Sequence, residues 1–207
     1  MPSGFSALFT PGLARLREAH PKLALELISG ARLVDLRKGE ADLALRSGPV
    51  DDGDLVVRRL GDSGWSLYAS PRYMQGRSDL AEDCDLTGHD LIGYDESLLE
   101  MPAAKWLEQR ASTGRVVLRS REMTEMLTAA RSGVGIALLP CILGDQESGL
   151  LRLTARVLAT RNVSLVYYRE AKLSAAVRAV MQHVISVVQD NASRIAGEPK
   201  GSMLADE

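Results

Sequence analysis

The stretch that decides the fold is Leu36-Arg37-Lys38-Gly39-Glu40-Ala41-Asp42-Leu43-Ala44-Leu45-Arg46-Ser47-Gly48-Pro49. Gly39 is typical of the position after a helix, where a left-handed backbone favours a residue without a Cβ atom. Residues 41–45 are mostly apolar, as in a short strand that is buried on both faces. Arg46, Ser47 and Gly48 follow at the carboxyl end of that strand, where open α/β sheets bind their ligands. The stretch therefore predicts a helix, a tight turn and a buried strand that leads into a candidate binding loop.

The composition is that of an ordinary globular protein. Of the 207 residues, 45% are hydrophobic and 25% are charged, and the net charge is −2. Because a domain that binds DNA by itself usually has a basic surplus, we expect no DNA binding by these residues alone. Cys84 and Cys141 lie far apart and outside metal-site spacing. This favours reduced thiols in a cytoplasmic protein and leaves one disulfide open. The sequence shows neither a signal peptide nor an apolar run long enough to span a membrane.

Helical and strand patterns alternate along the chain. Residues 5–16 repeat apolar side chains at helical spacing, and residues 23–28 alternate as in a strand that stops at Ser29 and Gly30. A short helix over 32–38 and a strand over 41–45 follow, so we expect parallel strands joined by right-handed crossovers. Further strands are predicted over 55–60, 65–70, 91–94, 116–119, 135–139, 150–153 and 163–168. Further helices are predicted over 72–75 and 121–132, and from Ser174, which caps a long amphipathic helix.

Two groups of alternating helices and strands predict an α/β protein with two lobes. We expect lobe I to comprise residues 1–60 with 167–192, and lobe II residues 61–166. The strands 55–60 and 163–168 would carry the chain across and back. The polar residues 193–207 are expected to form a disordered tail. A cleft between two α/β lobes is a natural site for a small molecule.

Six segments in this order resemble the effector-binding domain of LysR-type transcriptional regulators. The matching residues are Ser3-Gly4-Phe5 with Pro11, Leu13, Leu16, Arg17 and His20-Pro21; Gly39, Ala41-Asp42-Leu43-Ala44 and Arg46; Leu60, Leu67-Tyr68-Ala69-Ser70-Pro71 and Tyr73; Leu86, His89 and Leu91-Ile92; Ala130, Gly133, Gly135-Ile136-Ala137 and Leu139-Pro140; Leu173, Val177 and Arg178. The resemblance implies two Rossmann-like lobes with a central cleft, the architecture of type 2 periplasmic binding proteins.

The resemblance also implies a function. A small anionic or polar metabolite is expected to bind between the lobes and to shift the lobes or a dimer contact. The strand 23–28 and the helix 121–132 could supply the face of a homodimer or higher homo-oligomer. The family's N-terminal winged helix-turn-helix and linker helix are absent from the sequence, as is most of the first strand. A fragment and a truncated coding sequence both stay open, and DNA binding is implied only for a full-length parent. No cofactor, metal or membrane partner is expected.

Candidate effector-binding residues in lobe I lie at strand-to-helix turns. Ser3, Gly4 and Ser6 could hold an effector carboxylate with hydroxyl and N–H groups, or could simply cap the helix. The same alternatives apply to the next turn, at Ser29 and Gly30.

Arg46 and the turns of lobe II complete the candidate site. Arg46 is expected to pair with an effector anion, or with Asp42 or a neighbouring acid. The candidates in lobe II are Tyr94, Ser120, Glu122 and Met123, although Glu122 could instead stabilise a helix dipole.

Two other classes of protein compete with this interpretation. A solute-binding protein of a transporter would share the fold, but the absent export signal and the free cysteines argue against it. An enzyme is not supported, because His20, His89 and His183 are scattered and form neither a catalytic triad nor a metal-site spacing.

Overall fold

The computed structural model describes residues 1–2, 4–30, 33–50, 53–77, 80 and 84–198. The helices are α1 (Ser6–Phe9), α2 (Leu13–Ala19), α3 (Pro71–Met74), α4 (Pro102–Glu108), α5 (Met123–Arg131), α6 (Cys141–Gly144), α7 (Ala175–Asp190) and α8 (Ala192–Ala196), with 3-10 turns at Thr10–Gly12 and Glu96–Leu98. The strands are β1 (Ala44–Ser47), β2 (Leu55–Ala69), β3 (Asp90–Tyr94), β4 (Arg115–Ser120), β5 (Ile136–Pro140), β6 (Leu151–Arg152) and β7 (Ala159–Tyr168).

The chain divides into two compact units. Unit 1 comprises Met1–Asp62 and Arg161–Ala192, and unit 2 comprises Ser63–Thr160 with the segment that begins at Ser193. Both divisions fall inside a strand, because β2 and β7 each run from one unit into the other. The sequence analysis expects the strands 55–60 and 163–168 to carry the chain between the lobes, with lobe boundaries after residues 60 and 166.

Unit 1 is built around the antiparallel pair of β1 and β7. The register places Ala44 opposite Val166, Leu45 opposite Leu165 and Arg46 opposite Ser164. Ala44 and Val166 form a buried cluster with Leu36 and Leu55. The helix α7 begins where the sequence predicts, because the Ser174 hydroxyl accepts a hydrogen bond from the Val177 N–H at 3.1 Å.

Two elements predicted in unit 1 are wrong. The residues described between 33 and 38 form no helix. The Asp35 carboxylate accepts hydrogen bonds from the N–H groups of Arg37 and Lys38, which competes with helical bonding. Residues 23–28 are not assigned to a strand either, because they have no ladder along a neighbouring strand in the described part of the chain.

Unit 2 contains a mixed sheet with a larger core. The strand β3 lies between β4 and β5 and runs parallel to both, and β5 pairs antiparallel with the second half of β2. The sheet and its helices bury a cluster that includes Leu67, Ile92, Leu107, Met126 and Leu138. The carboxyl ends of β3, β4 and β5 therefore share one edge of the sheet.

Three predictions for unit 2 need correction. The strands predicted over 55–60 and 65–70 are one continuous strand, β2, since the chain passes from unit 1 into unit 2 there instead of turning back. The helix α5 begins at Met123 rather than at residue 121. The tail predicted from residue 193 begins as the helix α8, in which Ile195 is only 2% exposed, and residues 199–207 lie outside the described residues.

Within the described residues, no helix combines the length and the apolar character needed to cross a membrane.

The packing of α8 can be tested with a matched pair of variants. We expect Ile195→Ala to lower the free energy of unfolding by about 2–5 kcal/mol, because it removes a buried side chain. Ser193→Ala, in the same helix but exposed, should change it by less than about 0.5 kcal/mol. Urea denaturation measures both, and equal values for the two variants would mean that α8 does not pack.

The buried His89 should make unit 2 sensitive to pH. Burial lowers the pKa of this side chain, and the nearby charge of Arg77 acts in the same direction. The folded state therefore keeps His89 neutral while the unfolded state takes up a proton below about pH 6.5, so stability falls as the pH decreases through that value. We expect a smaller loss of stability between pH 7.5 and 5.5 in His89→Gln than in the parent protein. Parallel pH profiles from urea denaturation would contradict this.

Candidate functional site

The turns expected to bind effector in unit 1 differ in how far the structure describes them. Ser3 lies outside the described residues. Gly4 adopts a φ of +90°, and Gly30 adopts +131°, both in the region that favours glycine. Ser6 is the first residue of α1, whose N-cap is Phe5 without a side-chain hydrogen bond, so Ser6 does not cap this helix. Ser29 is exposed.

Among the described residues, Arg46 is bonded to the backbone. Its Nη2 donates a hydrogen bond to the Val34 carbonyl at 3.2 Å, and no salt bridge between Arg46 and Asp42 occurs within the described residues. Its Nε atom is buried and has no hydrogen-bond partner in the same part of the chain. One strong donor of this guanidinium therefore remains available for a ligand.

Ser164 lies directly beside Arg46. The two residues are opposite each other in the pair of β1 and β7, so their side chains project from the same face, with Cα atoms about 4.5–5.5 Å apart. Ser164 is 1% exposed, and its hydroxyl likewise has no partner among the described residues. Arg46 also lines a small cavity of 190 Å³. An N–H donor and a hydroxyl placed side by side can bind an anionic oxygen.

The sequence does not identify Ser164 as a site residue. The available signal is a single serine inside the apolar run Val163-Ser164-Leu165-Val166. Its significance depends on the pairing of β7 with β1, which joins residues more than 100 positions apart.

Unit 2 brings Ser120 and Glu122 together at the carboxyl edge of β4. Ser120 is 7% exposed, and its hydroxyl donates to Glu125 Oε2 at 2.6 Å and accepts from the Glu122 N–H at 3.0 Å. Glu122 is the N-cap residue of α5 and makes no side-chain cap bond, and Met123 is the first residue of the helix. The Ser120 hydroxyl therefore already stabilises the start of α5.

Tyr94, another candidate from the sequence, is buried in this structure. Its side chain is 0% exposed, and its hydroxyl donates to the Leu138 carbonyl. The strand β3 is buried on both faces from Leu91 to Tyr94, which the position of Tyr94 at a strand end does not reveal. The next residue, Asp95, lies at the surface, and hydrogen bonds from Ser97 hold the pKa of its carboxyl below the usual value.

A second unpaired donor lies in unit 2. Trp65 is 4% exposed, and its Nε1 has no hydrogen-bond partner in the described part of the chain. Trp65 is opposite Pro140, the last residue of β5, and its ring lies 6.3 Å from that of Tyr94. It is therefore at the same edge as the carboxyl ends of β3 and β5. The sequence alone does not indicate that the indole N–H of a tryptophan in a strand lacks a hydrogen-bond partner.

Metal binding has no support in the described residues, which contain no group of three or more His, Cys, Asp or Glu side chains able to hold an ion. Cys84 and Cys141 are both buried and form no disulfide among the described residues, and burial raises the pKa of the Cys141 thiol.

Comparison with known proteins gives one consistent result. The family model described as LysR substrate binding domain matches residues 1–189. The transcriptional regulator CrgA of Neisseria meningitidis is 27% identical over 199 residues, which cover 89% of this chain and 64% of CrgA. An uncharacterized transcriptional regulator of Haemophilus influenzae is 30% identical over 146 residues, which cover 68% of this chain and 50% of that protein. The chain thus spans about half to two thirds of the length of these relatives.

Solved structures agree with the fold. The CrgA regulatory domain superposes with a TM-score of 0.73 at 24% identity, covering 89% of this chain and 94% of the other. The effector domain of AmpR from Pseudomonas aeruginosa also gives 0.73, at 21% identity, covering 92% and 93%. The predicted α/β fold of type 2 periplasmic binding proteins is confirmed. The chain belongs to the LysR substrate-binding domain family, and it is the effector-binding domain of a LysR-type transcriptional regulator.

Proposed function

We propose that this domain binds a small carboxylate effector, and that Arg46 and Ser164 contact its anionic oxygen. The observation that carries the proposal is the pair of buried, unpartnered polar atoms on one face of the β1–β7 pair, Arg46 Nε and Ser164 Oγ. A buried donor without a partner costs about 1–3 kcal/mol, and a ligand that supplies the acceptor recovers that energy. A carboxylate suits both groups, because it accepts charge-assisted hydrogen bonds and has no donor that would clash with Nε–H.

In unit 2, Trp65 Nε1 is a buried donor without a described partner, and we propose it as an independent ligand contact. Ser120 is a weaker candidate, because its hydroxyl already bonds within the protein. Ser29 and Gly30, which follow residues 23–28, and Glu122 and Met123, which follow β4, remain proposed ligand contacts.

Control of transcription is proposed for the longer protein. The relatives that extend beyond the matched region are described as HTH-type transcriptional regulators. We infer that effector binding changes the populations of two states of a homodimer, since a ligand shifts an equilibrium only through its differential affinity for the two states. DNA contacts would come from a helix-turn-helix domain, and the protein would act in the cytoplasm.

The anion contact can be tested with a screen and three variants. In a thermal-shift screen of small carboxylic acids, each measured beside its primary amide, we expect acids to raise the melting temperature and their amides to have no effect. For an acid that binds, Ser164→Ala and Arg46→Lys should each weaken binding about 10-fold or more, the worth of a hydrogen bond to a charged group. Ser186→Ala, an exposed residue of α7, should leave binding unchanged.

The same variants separate binding from stability. Without ligand, Ser164→Ala should leave the free energy of unfolding unchanged or raise it by up to about 1 kcal/mol, because it removes an unsatisfied buried hydroxyl. A hydroxyl that merely stabilised the fold would lower stability on removal and leave affinity intact. That result, or a screen in which amides stabilise as well as acids do, would overturn the proposal.

A further inference from the structure

A second guanidinium lies at the end of β1. Gly48 follows β1 directly, and its N–H donates to the Asn162 carbonyl at 2.8 Å, which continues the pairing of β1 with β7 by one step. A Cβ atom on Gly48 would lie 2.8 Å from Cζ and 2.9 Å from Nε of Arg161, and closer still to Nη2. The guanidinium of Arg161 therefore lies against the α-carbon of Gly48.

The glycine at residue 48 keeps this guanidinium in place. Gly48 has a φ of +103°, in the region that favours a residue without a Cβ atom, and it is buried although Pro49 beside it is exposed. A guanidinium is the far end of a flexible side chain, so a residue with a Cβ atom would push it away. The absent side chain of Gly48 thus sets the position of the Arg161 charge.

The guanidinium of Arg161 and the side chain of Arg46 belong to the same end of the β1–β7 pair, within unit 1. Two residues of a strand span about 7 Å, which is therefore the distance between the α-carbons of Arg46 and Gly48. Both arginine side chains are partly buried, and each is long enough to reach a ligand beside the strand end. A guanidinium binds a carboxylate through parallel N–H donors.

We propose that the effector is a dicarboxylate, whose first anionic group contacts Arg46 and Ser164 and whose second contacts Arg161. This inference rests on the proposed function, which places an anionic oxygen at Arg46. Gly48 is then a residue that determines specificity, because its missing side chain leaves room for the Arg161 guanidinium. A monocarboxylate would use only the first contact.

Matched pairs of acids test the proposal on the full chain. Each straight-chain diacid from succinate to adipate is titrated beside its monoamide, which has nearly the same size and one negative charge less. We expect at least one diacid to bind about 10-fold or more tightly than its monoamide, the worth of a hydrogen bond between charged groups. Isothermal titration calorimetry measures both dissociation constants, and their ratio is the preference for the diacid.

Four variants assign that preference to a residue. Arg161→Gln should bring the ratio close to one. Gly48→Ala should also lower it, because the added Cβ displaces the guanidinium, and should lower the melting temperature through its strained φ. Arg59→Gln removes the same charge from an exposed position of unit 1 and should keep the ratio of the parent protein. Arg46→Lys, which tests the proposed function, should weaken diacid and monoamide together.

The outcomes separate this inference from the proposed function. Equal affinities for diacid and monoamide in the parent protein, or a preference that persists in Arg161→Gln, would refute the second contact and leave the contact at Arg46 standing. Binding of monocarboxylic acids without binding of any diacid would refute it too. If no carboxylic acid of either kind binds, the proposed function itself fails.

Discussion

The antiparallel pairing of β1 with β7 is the constraint on which unit 1 depends. It brings residues 44–47 next to residues 163–166 and so joins the early and late parts of the chain in one sheet. The pairing buries Ala44 and Val166 in a common cluster, and two positions further along each strand it places Arg46 and Ser164 beside each other. Arg46 and Ser164 thus lie next to a buried cluster, and in the proposed function their atoms without described partners bind the anionic oxygen of the effector.

Much of this fold can be predicted from the sequence, because its signals are local. The Ser174 cap and the apolar strands β3 and β5 are all predicted from short patterns, and each is present in the structure. The elements that were missed or wrong depend on distant partners. Residues 23–28 have the alternation of a strand but lack a neighbouring ladder, and α8 is ordered because Ile195 packs against the rest of the protein. The helix α4, which is not among the predicted helices, begins at Pro102, a residue type that favours the first helical position.

The candidate site is less predictable from the sequence, because a polar side chain can bind a ligand only where the fold leaves one of its atoms without a hydrogen-bond partner. The sequence indicates Arg46 by its place after a strand. Ser164 and Trp65 become candidates only in the structure, where their buried polar atoms have no hydrogen-bond partner among the described residues. Tyr94 lies at an equally suggestive position and is buried in the core.

The most direct test of the central claim is the ¹H–¹⁵N NMR signal of Arg46 Nε, assigned with Arg46→Lys, during titration with a carboxylic acid that stabilises the protein. The account predicts a large downfield shift of this signal that saturates with binding, while the signal of Arg59, exposed and paired with Asp62, stays in place. An Arg46 signal that does not move when the protein is saturated would contradict it.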